Sequence, residues 1–543
     1  MSNSKPYRFT RRPAAVFLWV ALVCMLAWAA FVSAQTLGPR TAVGVQDPGP
    51  RSGGPDAGGL ISGANGNEGA AWKDGGQLFG EVFSVSGTVN SEPGSGLGPT
   101  FNGNSCEMCH ANPAPGGTSP NPASVAAQGK NLGKFGNVPN NVPNQQFALA
   151  ALDGAANIPP FFITLNGPTR EARFQFMADG RTPDGGVHDL YSIQGRTDAP
   201  GCSLPQNDFR DRDNIIFRIP TPLFGSGLME NTPDEELLNN LDANAFAKRV
   251  LGIAGTVNRS GNDGSIARFG WKAQNKSLLL FTGEASNVEM GVSNELFSNE
   301  RFPLPNQQAY VNGCTFNPTP EDLTGIEQAV TPGPPPPPGN PNEISSFITR
   351  VAIFMRLNAP PTAHPEGYST ATATVTAAQI AAGAALFQVP SSLVPGNANL
   401  VSSNPSDPTI IPDSPGTNSG IGCALCHTPS LTTGTSSIAA LNNVTFAPFS
   451  DLAVHHMGEG LADGITQGAA TGDQFRTAPL WGLGQRIFFL HDGRVGPGQR
   501  LQSLEDAIEA HKGPGSEANS VIERFDNLSP TDKNNLLAFL RSL

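Results

Sequence analysis

Two short stretches bring metal-binding residue types together: Cys106-Glu-Met-Cys109-His110 and Cys423-Ala-Leu-Cys426-His427. Two thiols three positions apart with an imidazole directly after them suit half a zinc site, a dithiol switch or the anchor of a covalent haem. A structural zinc site wants four ligands, usually as two close pairs. Here the pairs stand more than 300 residues apart, and each carries a trailing histidine that zinc does not require. A dithiol switch has no use for that histidine either. A haem uses all three groups, because the thiols add across its two vinyl groups and the imidazole reaches the iron from below. Two covalently bound haem c groups are therefore expected, attached at Cys106, Cys109, Cys423 and Cys426, with His110 and His427 on the iron. The sixth position of each iron then decides between electron carriage and chemistry, since a filled position makes a carrier and an open one admits a small oxidant.

Each motif is preceded by the same local plan. Gly75-x-x-Leu78-Phe79 stands 27 residues before Cys106, and Gly383-x-x-Leu386-Phe387 stands 36 residues before Cys423. A helix face of this kind ahead of each Cys-x-x-Cys-His reads as an internal duplication. The run TPGPPPPPGNP between the copies is a stiff polyproline-type spacer. The chain closes with SPTDKNNLLAFLRSL. Ser529 is placed to cap a helix, Pro530 suits its first position and Asp532 adds a capping carboxylate. Leu536, Leu537, Leu540 and Leu543 would then line one face. Strand signals are scarce, so a mainly α protein with long irregular insertions is expected.

Lys5, Arg8, Arg11 and Arg12 precede an apolar run from about Ala14 to Val32, with Val32-Ser33-Ala34 as a cleavage point. This reads as an export signal spanning 1–34, removed to leave no membrane span, with an uncleaved anchor as the alternative although the run is short for a span, and the protein is expected in the periplasm or otherwise exported. Removal takes away four positive charges and leaves 29 basic against 45 acidic residues. Such a surface argues against nucleic acid and is compatible with a basic protein partner. Residues 35–71, rich in Gly, Pro, Ala and Asn, read as a flexible leader. The remaining boundaries are an N-terminal domain with a large insertion at 72–330, the Pro-rich linker at 331–342 and a C-terminal domain at 343–543. Beyond the two pairs and Cys24 of the signal, Cys202 and Cys314 are left as candidates for one disulfide in an oxidising compartment, their separation open.

Four segments extend the pattern: GLGPTFNGNSCEMCH, RFGWKAQNKSLLLFTGEASNVEMG, CALCH, and FRTAPLWGLGQRIFFLHDGR running into LEDAIEAH. With them the chain resembles the di-haem cytochrome c peroxidase superfamily, and within it the di-haem oxidoreductase branch. The resemblance implies two cytochrome c-like haem domains, the first haem meeting hydrogen peroxide and the second accepting electrons from a small soluble cytochrome or cupredoxin. It places Trp271 between the haems and makes Glu289, of Glu289-Met290-Gly291, the acid–base group facing the first. A carboxylate in a half-buried pocket, its pKa raised by desolvation, suits that task. The far-side ligand of the second haem falls on His511, with Met457 as the alternative and His455 and His456 as neighbours. His188, in the long insertion, could cap the first haem in a resting state or be a hydrogen-bonded loop histidine. His491 and Arg494 read as a turn anchor or a propionate contact, and calcium between the domains is a further candidate cofactor. Two other functions suit the same haems: electron transfer without peroxidase activity, and oxidation of a protein or organic substrate through high-valent iron.

Overall fold

The structure is a computed structural model that describes residues 44–118, 144–301, 314, 346–390, 393 and 420–543. The expected signal and the Pro-rich linker lie outside the described residues. Thr41–Leu543 form one compact unit, mostly helical with small two- and three-stranded sheets.

Six helices carry the argument: α1 (Gly66–Phe79), α2 (Leu278–Met290), α3 (Phe347–Leu357), α4 (Ala377–Phe387), α5 (Leu504–Glu509) and α6 (Pro530–Ser542). Helix α1 packs on α3, and α4 on α6. The glycine of each Gly-x-x-Leu-Phe copy sits at the crossing. A Cβ built on Gly75 would collide with the carbonyl oxygen of Arg350, and one built on Gly383 with that of Asn535. Four residues further along each partner helix, Phe354 and Phe539 meet the terminal Phe of the motif, with ring centroids 4.9 Å (Phe79) and 5.3 Å (Phe387) apart. The repeated motif is thus a repeated helix crossing.

That crossing corrects one boundary. Helix α3 lies beyond the Pro-rich run yet closes the N-terminal half, fastened by Arg350 to Asp74 of α1 at 2.6 Å. A polyproline run stiffens the local chain, but the glycine face of α1 is what decides where α3 is buried. The part of the expected leader from residue 44 onward is likewise built into the fold. Val45 joins the core around α4 and α6. Asp47 pairs with Arg541 of α6 at 2.7 Å and accepts the N–H of Leu504, while the Arg51 side chain donates to the Ser542 carbonyl. One partly buried acid and one buried arginine hold this low-complexity segment where composition alone suggested a flexible tether.

Helix α6 starts as expected. Ser529 Oγ accepts the Asp532 N–H, Pro530 opens the helix, and Leu536, Leu537, Leu540 and Leu543 are all buried. In the insertion, β1 (Glu171–Phe174) pairs antiparallel with β2 (Val187–His188) and β3 (Ile215–Arg218). A second small sheet joins β4 (Val454–His456) to β5 (Gln474–Arg476). Cys202 and Cys314 form a disulfide.

Candidate functional site

Each Cys-x-x-Cys-His lies on the wall of its own cavity. Cys106, Cys109 and His110 line one enclosing about 1240 Å³, its mouth included. Cys423, Cys426 and His427 line another of about 1420 Å³ on the same measure. The two pairs therefore do not combine into one four-ligand set. Neither pair is a disulfide, and burial pushes the thiols of Cys106 and Cys423 up to about 12. A redox or zinc-binding cysteine needs the opposite shift, toward thiolate. Neutral thiols on the wall of a large cavity are consistent with haem c attachment.

The two histidines are preset in the same way. His110 Nδ1 lies 2.9 Å from the Gly117 carbonyl oxygen and His427 Nδ1 lies 3.0 Å from that of Phe449. A carbonyl only accepts, so each Nδ1 carries the proton and each Nε2 keeps a lone pair, the form in which imidazole binds a metal. Burial lowers the pKa of both to about 4, which keeps them neutral. Behind them stand Phe79 and Phe387, with ring centroids 6.1 and 6.5 Å away, so the duplicated helix crossings also back the histidines.

The cavity of His110 contains Glu289. Its helix, α2, is capped by Ser277 Oγ, which accepts the Leu280 N–H. The helix ends at Gly291 with φ +72°, where a Cβ would lie 2.6 Å from Gly98 Cα. That contact lets the loop before Cys106 clamp the helix end: Gly98 N–H donates to the Met290 carbonyl, and Asn102 N–H and Gly103 N–H to that of Glu289. The Glu289 carboxyl is pushed up to about 8, chiefly by burial and then by Glu171 and Asp189, against Arg301 and a hydrogen bond from Asn102. Its position in the last helical turn, where the dipole is negative, acts in the same direction. At neutral pH it holds a proton that it can give and take back.

Glu171, Arg173 and Glu284 line the same cavity. Glu171 and Arg173 alternate on β1 and form an ion pair. The alternation in Glu-Ala-Arg-Phe is a short strand signal in an insertion otherwise poor in them. It also settles His188. On β2, His188 pairs with Ala172, so it shares the face opposite Glu171 and Arg173. Its Nε2 meets Asp184 at 3.0 Å and its ring packs edge-on against Phe174. His188 is not on the wall of the first cavity, and the expectation that it caps a haem there is not supported. It is a hydrogen-bonded histidine of the insertion.

Trp271 is shared by the two cavity walls. Its Nε1–H donates to the Ile219 carbonyl at 2.8 Å and its own carbonyl accepts the Arg476 N–H. The adjacent Lys272 forms a buried ion pair with Asp463 at 3.0 Å.

The second cavity receives both His511 and Met457. His511 Nδ1 donates to the Ala507 carbonyl at 2.8 Å, which leaves its Nε2 in the lone-pair form seen at His110 and His427. Its neighbour candidates have other tasks. Both ring nitrogens of His455 are taken by carboxylates, Asp451 at 2.9 Å and Glu517 at 2.8 Å. His456 is half-exposed against Asp473. His491 lines the cavity, stacked on Phe475 at 4.3 Å and edge-on to Trp271 at 6.3 Å. Arg494 is turned to Asp492 and the Gly460 carbonyl and is not on the wall, so of its two expected roles the structure gives it that of a turn anchor.

Residues 369–543 match the family model described as "Di-haem oxidoreductase, putative peroxidase". The C-terminal region is a di-haem oxidoreductase domain. The match begins just after α3, and it contains Cys423, Cys426, His427, Met457 and His511. Cys106, Cys109, His110, Trp271 and Glu289 lie before it. A family of di-haem oxidoreductases implies haem, and the two Cys-x-x-Cys-His stretches are consistent with its two attachment sites. No curated protein and no solved structure matches the chain. Among the described residues no helix is long and apolar enough to cross a membrane.

Proposed function

We propose that this di-haem oxidoreductase is an exported, periplasmic peroxidase that reduces hydrogen peroxide to two waters with two protons and two electrons. The observation that carries the reading is the asymmetry of two cavities that share Trp271: a half-buried carboxylate with a raised pKa faces the first, and a preset histidine faces the second. Each cavity would be the haem crevice of a cytochrome c-like unit, the first closed by α3 and the second by α6. Cys106 and Cys109, and Cys423 and Cys426, would hold the haems by thioether bonds, with His110 and His427 on the irons. When bound, the haems supply iron that passes single electrons and reduces the peroxide O–O bond.

The protein's own groups do the rest. Glu289 takes the proton from the near oxygen of peroxide and returns one to the leaving oxygen. Burial, then Glu171 and Asp189, raise its pKa toward neutrality, so that its carboxylate form is basic enough to take the first proton and the resulting acid can return it. Trp271 bridges the two walls as the electron path. His511, in preference to Met457, would be the second protein ligand of the haem held by His427, and a small soluble cytochrome or cupredoxin would supply the electrons at this cavity. The Cys202–Cys314 disulfide supports an oxidising compartment.

Spectra of the oxidised and half-reduced protein, with peroxide turnover, test the reading. A high-spin ferric haem after one-electron reduction, with turnover, is expected. Two low-spin haems in every state and no turnover would leave an electron-transfer protein instead.

A further inference from the structure

Two arginines on the wall of the second cavity have no anion to meet. Arg476, at the end of β5, and Arg486 are 6% and 7% exposed. Each uses its Nε–H on a backbone carbonyl, Arg476 on Gly270 at 3.0 Å and Arg486 on Phe488 at 2.9 Å. Beyond that, Arg476 Nη1 and Arg486 Nη2 are buried with no hydrogen-bond partner. Glu517 is the one carboxylate residue among the residues described on this wall. It is engaged by His455 and by the N–H groups of Ala254 and Gly255. Burial lowers the pKa of both guanidinium groups to about 10, and for Arg476 repulsion by Arg486 adds to it.

Buried charges in proteins are paired, because an unpaired one forfeits its hydration without return. Two such cations on one wall call for two anions on one ligand, and guanidinium forks fit carboxylates. The same wall carries Cys423, Cys426 and His427, and a haem carries two propionates. We propose that Arg476 and Arg486 bind the two propionate carboxylates of the haem attached at Cys423 and Cys426, and that their charge raises its reduction potential. The inference rests on the reading that this cavity holds a haem. It moves the propionate contact from Arg494 to two residues buried against the cavity. Loss of either arginine leaves a carboxylate uncompensated beside the iron, which favours the ferric form.

The test uses the full chain with its haems attached, in R476Q and R486Q, read by haem stain and by spectroelectrochemical titration. Both variants are expected to keep two haems per chain. In each, one of the two ferric-to-ferrous transitions should shift so that its ferrous-to-ferric ratio at fixed potential falls about tenfold, equivalent to ~59 mV for one electron. Two retained haems with both transitions unmoved would overturn the role of the arginines alone. Absence of covalent haem from the unaltered chain would overturn it together with the haem reading. Should the glutamine variants not fold, R476K and R486K keep a cation but lose the fork. The propionate vibrations of the haem should then shift in resonance Raman spectra, and unchanged vibrations would overturn the proposal.

Discussion

Histidine fates in this protein are decided by what the Nδ1 atom touches. His110, His427 and His511 each set Nδ1 against a carbonyl and keep Nε2 for a ligand, whereas both nitrogens of His455 are held by acids. His511→Met should therefore raise the potential of one haem, as Met/His ligation does relative to bis-His, while Met457→Leu leaves both potentials in place. A redox titration of the two variants distinguishes His511 from Met457 as the ligand. Glu289→Gln should cut peroxide turnover by roughly 10²–10⁴-fold with both haems still attached. Because burial and Glu171 place its pKa at about 8, the base form of Glu289 grows as pH rises through that range. Turnover of the unaltered protein should rise with it, and the limb should be missing from the Gln variant's pH profile. That Glu289 would face the first cavity was legible in Glu-Met-Gly through the family resemblance that this motif carries. His188 was not, since its exclusion depends on which strand face it shares with Ala172.

At the scale of elements, the glycine of each Gly-x-x-Leu-Phe copy has a spatial cause. Gly75 and Gly383 let two helix backbones touch, and the aromatic one turn later reaches the histidine's back. Gly75→Ala or Gly383→Ala should destabilise by about 1–3 kcal/mol or more, because the obstacle is backbone that cannot step aside. Gly66, at the start of α1 with open space around it, is the control, and Gly66→Ala should leave the melting temperature unchanged or slightly higher. Thermal unfolding of the three variants checks this. The motif repeat could be read in one dimension, and so could the cap and leucine face of α6. The partner of α1 could not, because helix α3 is separated from it by the whole insertion and by the Pro-rich run.

At the scale of the molecule, the halves are joined by buried charge as well as by apolar packing. Glu517 reaches from the C-terminal region to the N–H groups of Ala254 and Gly255 and to His455, and its pKa is held at about 2 against an ordinary 4.5. A carboxyl lowered on folding contributes stability above its unfolded pKa and loses it as pH falls toward the folded one. His455, raised well above its ordinary 6.5, contributes fully below that value and loses its share as pH rises toward its folded pKa. Glu517→Gln should cost on the order of 1.5–3 kcal/mol near pH 6, and the gap from the unaltered protein should shrink as pH drops from 4.5 toward 2. Unfolding midpoints across that range measure it. The sequence by itself determined the chemistry on offer, because Cys-x-x-Cys-His and the repeated glycine face are local patterns that need no fold to be recognised. Only the tertiary structure decided that Trp271 borders both cavities, that His511 faces His427's cavity while His188 faces away from His110's, and that Arg476 and Arg486 are buried without an acid. Those outcomes depend on which distant segments share a wall, and burial, which sets both proton affinity and the cost of an unpaired charge, exists only once they do.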